Sequence, residues 1–464
     1  VVVAVALSGA TLLGVHAFAD TIESALIFTY MNNPQLNSQR ALVRATDENV
    51  PTALAGYRPK AAVTASAGFQ SLNTRTWEIG STTPPNAPRS TFIQSGTNYP
   101  RNYGATITQT LLNGSQTSNR TRLAEGQVFA ARETLRNIEQ TVLLNAATAY
   151  MNLLRDGGIL ELQRSNLEVL LEQLRQTKLR LESGNVTATD VSQAEARVAT
   201  GRTQVYAAEA NYQSSRAVYR QVIGLEPGKL APAAPVDRFS PRDLPGVLNA
   251  ATAHHPNVAT AQFNVDIAML QVKIAEGALY PTVTLQGSVQ KNYQQTLTLL
   301  DNFNATVAAQ LSAPLYQGGA EFAAIRQAKE TQGQRQLDLN VARDQARMNA
   351  QQAWAQLDAA KSSIESTKKQ VAAAEAALNG VREEARLGQR TTLDVLNAQQ
   401  ELVSARVAMV SAQRDRLVNS YGLLAAIGAL SPATLGLAVS TYDPMIHYTQ
   451  VRDAWVGLRT PDGR

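Results

Sequence analysis

Apolar residues recur along this chain at two periods, and the switch between them happens twice. Val63, Ala65, Ala67 and Phe69 alternate with Thr64, Ser66, Gly68 and Gln70, and Val283, Leu285 and Val289 alternate with Thr284, Gln286, Ser288 and Gln290. Period two predicts strands. The same alternation returns in Tyr103, Ala105 and Ile107, and in Phe303, Ala305, Val307 and Ala309. Elsewhere the spacing is helical, and beside two glycines it becomes seven. Leu160, Leu167, Leu174 and Leu181 precede Gly184, while Ile364, Val371, Leu378 and Ala385 precede Gly388. Val191, Val198, Val205, Tyr212 and Tyr219 follow the first glycine; Val395, Leu402, Met409, Arg416 and Leu423 follow the second. Heptads on both sides of a glycine turn predict antiparallel coiled-coil hairpins.

The chain repeats itself. Gly184 and Gly388, Thr187 and Thr391, Asp190 and Asp394, and Gly224 and Gly428 all stand 204 residues apart. Earlier in each half the offset is 222, set by Pro34 with Pro256 and Pro59 with Pro281. The offset changes because the connection between the first two strands, Ser71 to Arg101, is 18 residues longer than its counterpart. It is rich in turn residues, including Thr83-Pro84-Pro85-Asn86, and reads as a surface loop. The first repeat is expected over 20–223, with a helix at 20–56, strands at 59–72 and 102–112, a long helix at 115–183 and a return helix at 187–223. A linker, 224–245, leads to a second repeat over 246–429, with a helix at 246–278, strands at 281–291 and 302–312, a long helix at 319–387 and a return helix at 391–429; the tail is 430–464. At 1.5 Å per residue each long helix reaches about 100 Å, longer than any globular core. Gly157-Gly158 interrupts the first at about 1 kcal/mol per glycine, with no reason visible in the sequence.

Each predicted strand carries one apolar face and one face of small polar groups. Four such strands alone leave two unpaired edges, whose backbone groups cost several kcal/mol each in lipid. The sheet must therefore close with other copies of the chain, and strands of about ten residues, apolar outside and polar inside, match a transmembrane β-barrel. A half-buried soluble sheet is the alternative, but four strands supply little core for helices of this length. Residues 1–19 read as a signal peptide: an uncharged apolar run to Val15, then Ala17-Phe18-Ala19 before Asp20. That run is short for a membrane-spanning helix. No cysteine is present among 464 residues, which excludes disulfides and thiolate metal sites. A formal charge of +5 without a basic stripe argues against nucleic acid. His254-His255 occupies the place of Asn32-Asn33 in the repeat, so a metal site is not expected, and no cofactor motif or recurring catalytic constellation appears.

The two turns carry the candidate site. Thr187-x-x-Asp190 and Thr391-x-x-Asp394 both fit capping boxes, and an acid in the first helical turn is favoured in any case. Arg390 is different, because its repeat partner is Val186 and capping needs no cation. With a signal, a doubled helix, hairpin and helix plan, and Gly388-Gln-Arg-Thr-Thr-Leu-Asp-Val-Leu-Asn397, the sequence resembles the TolC-type outer membrane export ducts of Gram-negative bacteria over nearly all of the mature chain. The resemblance implies a mainly α protein with a transmembrane β-barrel: a homotrimer forming a 12-stranded barrel in outer membrane lipid, joined to an α-helical barrel in the periplasm. It also implies export of small molecules or proteins from an inner-membrane pump or secretion ATPase through a periplasmic adaptor, without hydrolysis by the duct itself. Carried over by position, Arg390 would tie the inner coil to the outer through Asp190 and Thr189, and Asp394 would be an acidic constriction residue. Asn397 stands where a second acid is usual, and Ala385 where a gate tyrosine is. A trimeric coiled-coil adhesin is the alternative reading, but that class places its membrane strands once, at the C-terminus, whereas here they occur twice, each time between helices.

Overall fold

A computed structural model describes residues 21–77, 91–184 and 186–463. The expected signal peptide, 1–19, and Thr83-Pro84-Pro85-Asn86 lie outside the described residues. The chain is mainly helical. It divides into two compact units, one built from the residues up to Val43, Ala130–Gln262 and Asp338–Pro444, the other from Arg44–Phe129, Phe263–Leu337 and Met445–Arg464.

The helices before the strands are broken, and the reason is local. α1 (Ile22–Asn32) stops at Asn33, whose side-chain oxygen accepts the N–H groups of Gln35 and Leu36 at 3.0 and 3.2 Å, starting α2 (Pro34–Asp47) with proline in its first position. A third short helix, α3 (Asn49–Leu54), follows. The expected single helix over 20–56 is thus in three pieces, and the first break arises because Asn33 and Pro34 favour a cap over continuation. The same device recurs later, where α6 (Leu244–His254) ends at His255 and α7 (Pro256–Gly277) begins: His255 Nδ1 accepts the N–H of Asn257 at 3.1 Å. The histidine is a helix cap in the place where the first half uses asparagine.

β1 (Lys60–Ala67), β4 (Arg101–Asn113), β5 (Thr282–Thr296) and β6 (Leu299–Ser312) form one antiparallel sheet in that order. The register aligns the faces across all four strands. Val63 pairs with Ala105, Ala105 with Val289 and Val289 with Ala305; Thr64 pairs with Gly104, Gly104 with Gln290 and Gln290 with Asn304. One face is therefore mainly apolar, with Arg101, Lys291 and Asp301 joining it toward the β5–β6 turn, and the other mainly polar, with β1 and β6 as free edges.

The first hairpin continues outward, contrary to the expectation of a strand over 59–72 followed by one loop. β2 (Gln70–Trp77) and β3 (Thr91–Asn98) make a separate two-stranded sheet. Pro100 has no N–H to donate, so the ladder is interrupted there, with only its carbonyl accepting from the Gly68 N–H at 2.9 Å. The Asn98 side chain donates to the Gln294 carbonyl at 2.6 Å, drawing this outer sheet against the β5–β6 turn. Its threonines and glutamines lack apolar alternation, which is why the pattern was not legible.

α4 (Gln116–Glu182) and α8 (Ala320–Arg386) are each 67 residues long, and the return helices α5 (Ala188–Ile223) and α9 (Thr392–Ala426) are 36 and 35. The main core of the first unit gathers where Leu143, Ala147 and Tyr150 of α4 meet Tyr219 and Ile223 of α5, Val247 of α6, Leu357 of α8 and Leu423 and Leu424 of α9. Each large side chain fully buried there contributes roughly 1.5–3 kcal/mol. The 224–245 segment is tied to it: the Tyr150 hydroxyl donates to the Ala231 carbonyl at 2.7 Å, the Val236 N–H donates to Ser420 Oγ at 3.1 Å, and Asp237 pairs with Arg416 at 2.7 Å. The structure also explains Gly157-Gly158. A Cβ on Gly157 would be in ordinary contact with the Tyr212 ring at 3.4 Å and one on Gly158 with Val410 at 3.6 Å, so α5 and α9 both approach α4 there closely enough to leave room for little more than a methyl group.

Burial, reinforced by the charge of Arg136, pushes the His255 imidazole below its ordinary 6.5. A lowered histidine value means that stability is whole above 6.5 and is lost as pH falls below it, where the unfolded chain takes up the proton first. His255→Asn should keep the cap and flatten the pH dependence of thermal unfolding between pH about 7.5 and about 5.5. His255→Ala should cost about 0.5–2 kcal/mol at neutral pH.

Candidate functional site

Both turns are built alike. Gly184 and Gly388 have φ of 73° and 78°, the left-handed region that a glycine enters at no steric cost, and their N–H groups bond back to Leu181 and Ala385 at 2.9 and 3.1 Å. The following helices start with full capping boxes. Asp190 accepts the Thr187 N–H at 2.8 Å and donates its own N–H to the Thr187 hydroxyl at 3.3 Å; Asp394 and Thr391 do the same at 2.9 and 3.2 Å. These bonds, the threonine N–H first, hold both carboxyls below the usual aspartate value. Thr189, inside the first turn of α5, is exposed.

The cation singled out by the sequence is engaged within its own hairpin. Arg390 Nε donates to Glu384 Oε2 at 2.8 Å, and the Arg390 charge is near enough to Asp394 to add slightly to the lowering of the Asp394 carboxyl. Asp190 is occupied by its cap, so the expected Arg390 tie to Asp190 and Thr189 is not made in this state. Ala385 packs with Val371 against Leu378, Val395 and Leu402, all from the second hairpin.

The polar link between hairpins lies one turn further on. Arg197 of α5 donates through Nη2 to Asn397 Oδ1 of α9 at 2.7 Å, and Gln399 donates to the buried Asn166 of α4 at 3.2 Å. Beside them Leu170, Val198 and Leu396 form a small apolar cluster joining α4, α5 and α9. Higher on the same seam Arg414 donates to Asn152 at 2.8 Å. α9 thus has two working faces: Val395 and Leu402 pack on α8, while Leu396, Asn397 and Gln399 meet the first hairpin. Of the predicted residues, Asn397 joins the hairpins and Arg390, Asp394, Asp190 and Thr189 do not. Arg197, Gln399 and Asn166 were missed, although Asn166 interrupting the leucines of α4, and Arg197 standing opposite Glu401 in the repeat, were signals of asymmetry.

Between α4 and α8, next to the turns, runs an open groove of about 610 Å³ lined by Glu168, Glu172, Arg180, Arg382, Arg386 and Arg390. Arg175 holds Glu172 at a pKa of about 2, so the groove presents fixed charges of both signs. Among the described residues no group of three histidines, cysteines, aspartates or glutamates is placed to hold a metal ion. The arrangement is suited to docking and separating helices rather than to bond chemistry.

Three comparisons place these features. The family described as outer membrane efflux protein matches residues 29–225 and 247–429. The chain is 41% identical over 465 residues to the outer membrane efflux protein BepC of Brucella suis biovar 1 (strain 1330), covering 100% of this chain and 97% of that protein. It is 27% identical over 317 residues to the outer membrane protein TolC of Escherichia coli (strain K12), covering 65% of this chain and 64% of that one. Its fold is similar to that of the Campylobacter jejuni CmeC outer membrane channel, with a TM-score of 0.74 at 13% identity over 93% of this chain and 89% of that chain.

Arg197→Ala should loosen α9 from the first hairpin by about 0.5–1 kcal/mol, seen as a roughly two- to fivefold faster amide hydrogen exchange over the first turns of α9. Glu384→Gln, which touches only the Arg390 pair, should leave that exchange unchanged.

Proposed function

This chain belongs to the outer membrane efflux protein family, and we propose that three copies close their four-stranded sheets into a twelve-stranded barrel continued by a tube of periplasmic helices. The chain is an outer membrane export channel and not an enzyme. The observation that carries the trimeric reading is the sheet: one apolar face, one polar face and two free edges. No helix among the described residues is long and apolar enough to cross a membrane. β4, β5 and β6, at 13, 15 and 14 residues, exceed the roughly nine to eleven a tilted strand needs to span the bilayer. Free edges in lipid must be paired, and a second copy offers the complementary edge. α8 supports the same reading, since Leu337, Val341 and Met348 lie exposed along it at spacings of four and seven.

The two repeats, over 20–223 and 246–429, then each supply one strand pair and one helical hairpin to the tube. The gate lies at the helix turns. Opening separates the second hairpin from the first, which breaks the Arg197–Asn397 and Gln399–Asn166 bonds and parts Leu396 from Leu170 and Val198. These are a few weak contacts, so the seam is strong enough to stay shut and weak enough to be parted by a partner. Arg390, held by Glu384 at the turn, exchanges this partner for Asp190 and Thr189 when neighbouring coils draw together. Asp394 supplies a single acidic ring, because Asn397 replaces the second acid. A periplasmic adaptor docking in the charged groove between α4 and α8, loaded by an inner-membrane pump or secretion ATPase, drives the separation.

Purified protein in planar bilayers should form discrete channels, and Arg390→Ala and Asn397→Ala should each enlarge the single-channel conductance. Unchanged conductance in both would leave the channel and remove the gate; no channels from inserted protein would remove the trimeric barrel. Because Asp394 titrates below the ordinary 3.8, it stays charged at any pH above that. Cation preference should therefore persist on acidification to pH about 5 and vanish in Asp394→Asn.

A further inference from the structure

We propose that the segment following α10 (Pro444–Val451) is a membrane-interface anchor, laying Trp455, Val456 and Leu458 into the periplasmic phospholipid leaflet at the foot of β1. The inference rests on the reading that the four-stranded sheet spans the outer membrane.

The segment is led to that place by a series of contacts. His447 Nδ1 lies 3.0 Å from Asp47, whose side chain is fully buried. Tyr448 packs against Val50, Ala124 and Val128. Arg452 reaches Glu125 at 3.8 Å. Then Arg58 takes hold of the chain itself: its Nη1 donates to the Ala454 carbonyl at 2.7 Å, and its guanidinium sits 4.7 Å from the centre of the Trp455 ring. Arg58 is two residues before the first residue of β1, so the tail is fastened at the strand's helix-side end.

What the tail presents there is apolar and uncovered. Trp455 is 69% exposed, Val456 94% and Leu458 fully so, a sequence that a water-facing terminus has no reason to hold in an ordered place. The neighbouring strand ends show the same character. Tyr57 before β1, Tyr280 before β5, and Leu315 and Tyr316 after β6 are all exposed. Aromatic side chains at the ends of spanning strands mark the boundary between hydrocarbon and water, where an indole finds an apolar slot and a partner for its N–H. Arg459, next in the chain after Leu458, is placed for lipid phosphates. Arg58 holds this exposed apolar segment beside the first residue of a strand whose apolar face is read as facing lipid, which selects lipid as its occupant over a soluble protein.

The chain has no cysteine, so single labels are unambiguous. Nitroxides at Val456→Cys, at Val307→Cys on the apolar face of the sheet, and at Ser366→Cys on α8 would be compared in vesicles of phosphatidylethanolamine and phosphatidylglycerol by their accessibility to oxygen and to a water-soluble nickel chelate. All three positions are exposed, so the labels do not threaten folding. The expected result is an oxygen-favouring site at 307, a nickel-favouring site at 366, and a site at 456 that favours oxygen clearly more than 366 and moves toward it when Trp455→Ser is added. If 307 reads as lipid while 456 reads as 366 does, the anchor is overturned and the spanning sheet stands. If 456 is shielded from both reagents, a second protein copy covers the tail, and the anchor is overturned. If 307 itself reads as aqueous, the spanning reading fails and takes the anchor with it.

Discussion

Backbone pairing is the constraint on which the rest of this protein turns. The sheet pairs every strand internally except along the outer edges of β1 and β6, and its register places the large apolar side chains of Val63, Ile107, Val289 and Val307 on one face. In water such edges are only a liability; in hydrocarbon each unpaired N–H or carbonyl costs several kcal/mol. A chain with this sheet therefore has no stable membrane form alone. The polar face, lined by threonine, serine, glutamine and asparagine, follows from the same alternation: once one face is given to lipid, the other is left for water.

The helical part is packed unevenly along its length. The large aromatic and aliphatic core around Tyr150, Tyr219 and Leu424 is deeply buried, whereas the link near the turns consists of three apolar residues and a few hydrogen bonds. Stability and mobility are thus divided between regions, as expected where a moving element has to be drawn from the weakly held part of a structure. The capping boxes are local to each turn, since Asp190 and Asp394 bond within their own helices and depend on nothing across the seam.

Several features were legible in the chain because they depend on neighbours in sequence. The seven-residue spacing, the Thr-x-x-Asp caps, the left-handed glycines and the alternation of the strands are all local, and the repeat doubles each signal. The misses have a common cause as well. The closeness of Tyr212 and Val410 to Gly157-Gly158 on α4 is visible only in space. The outer sheet of β2 and β3 hides in a polar connection because it encloses no core. The role of Arg390 was read by position, but a guanidinium takes the nearest carboxylate, and in this state that is Glu384.

The chain by itself determined the long helices and the strands of the four-stranded sheet, that they come in two copies, and which strand face is mainly apolar, because these follow from periods of 2 and 3.6 and from capping within a few residues. Only the tertiary structure decided that Arg197 rather than Arg390 reaches across the seam, that His255 caps α7 through Nδ1, and that Ala454 and Trp455 lie against Arg58 beside β1. Each of those outcomes is a contest between partners brought together from distant parts of the chain, and distance along the sequence carries no information about which partner is nearer in space.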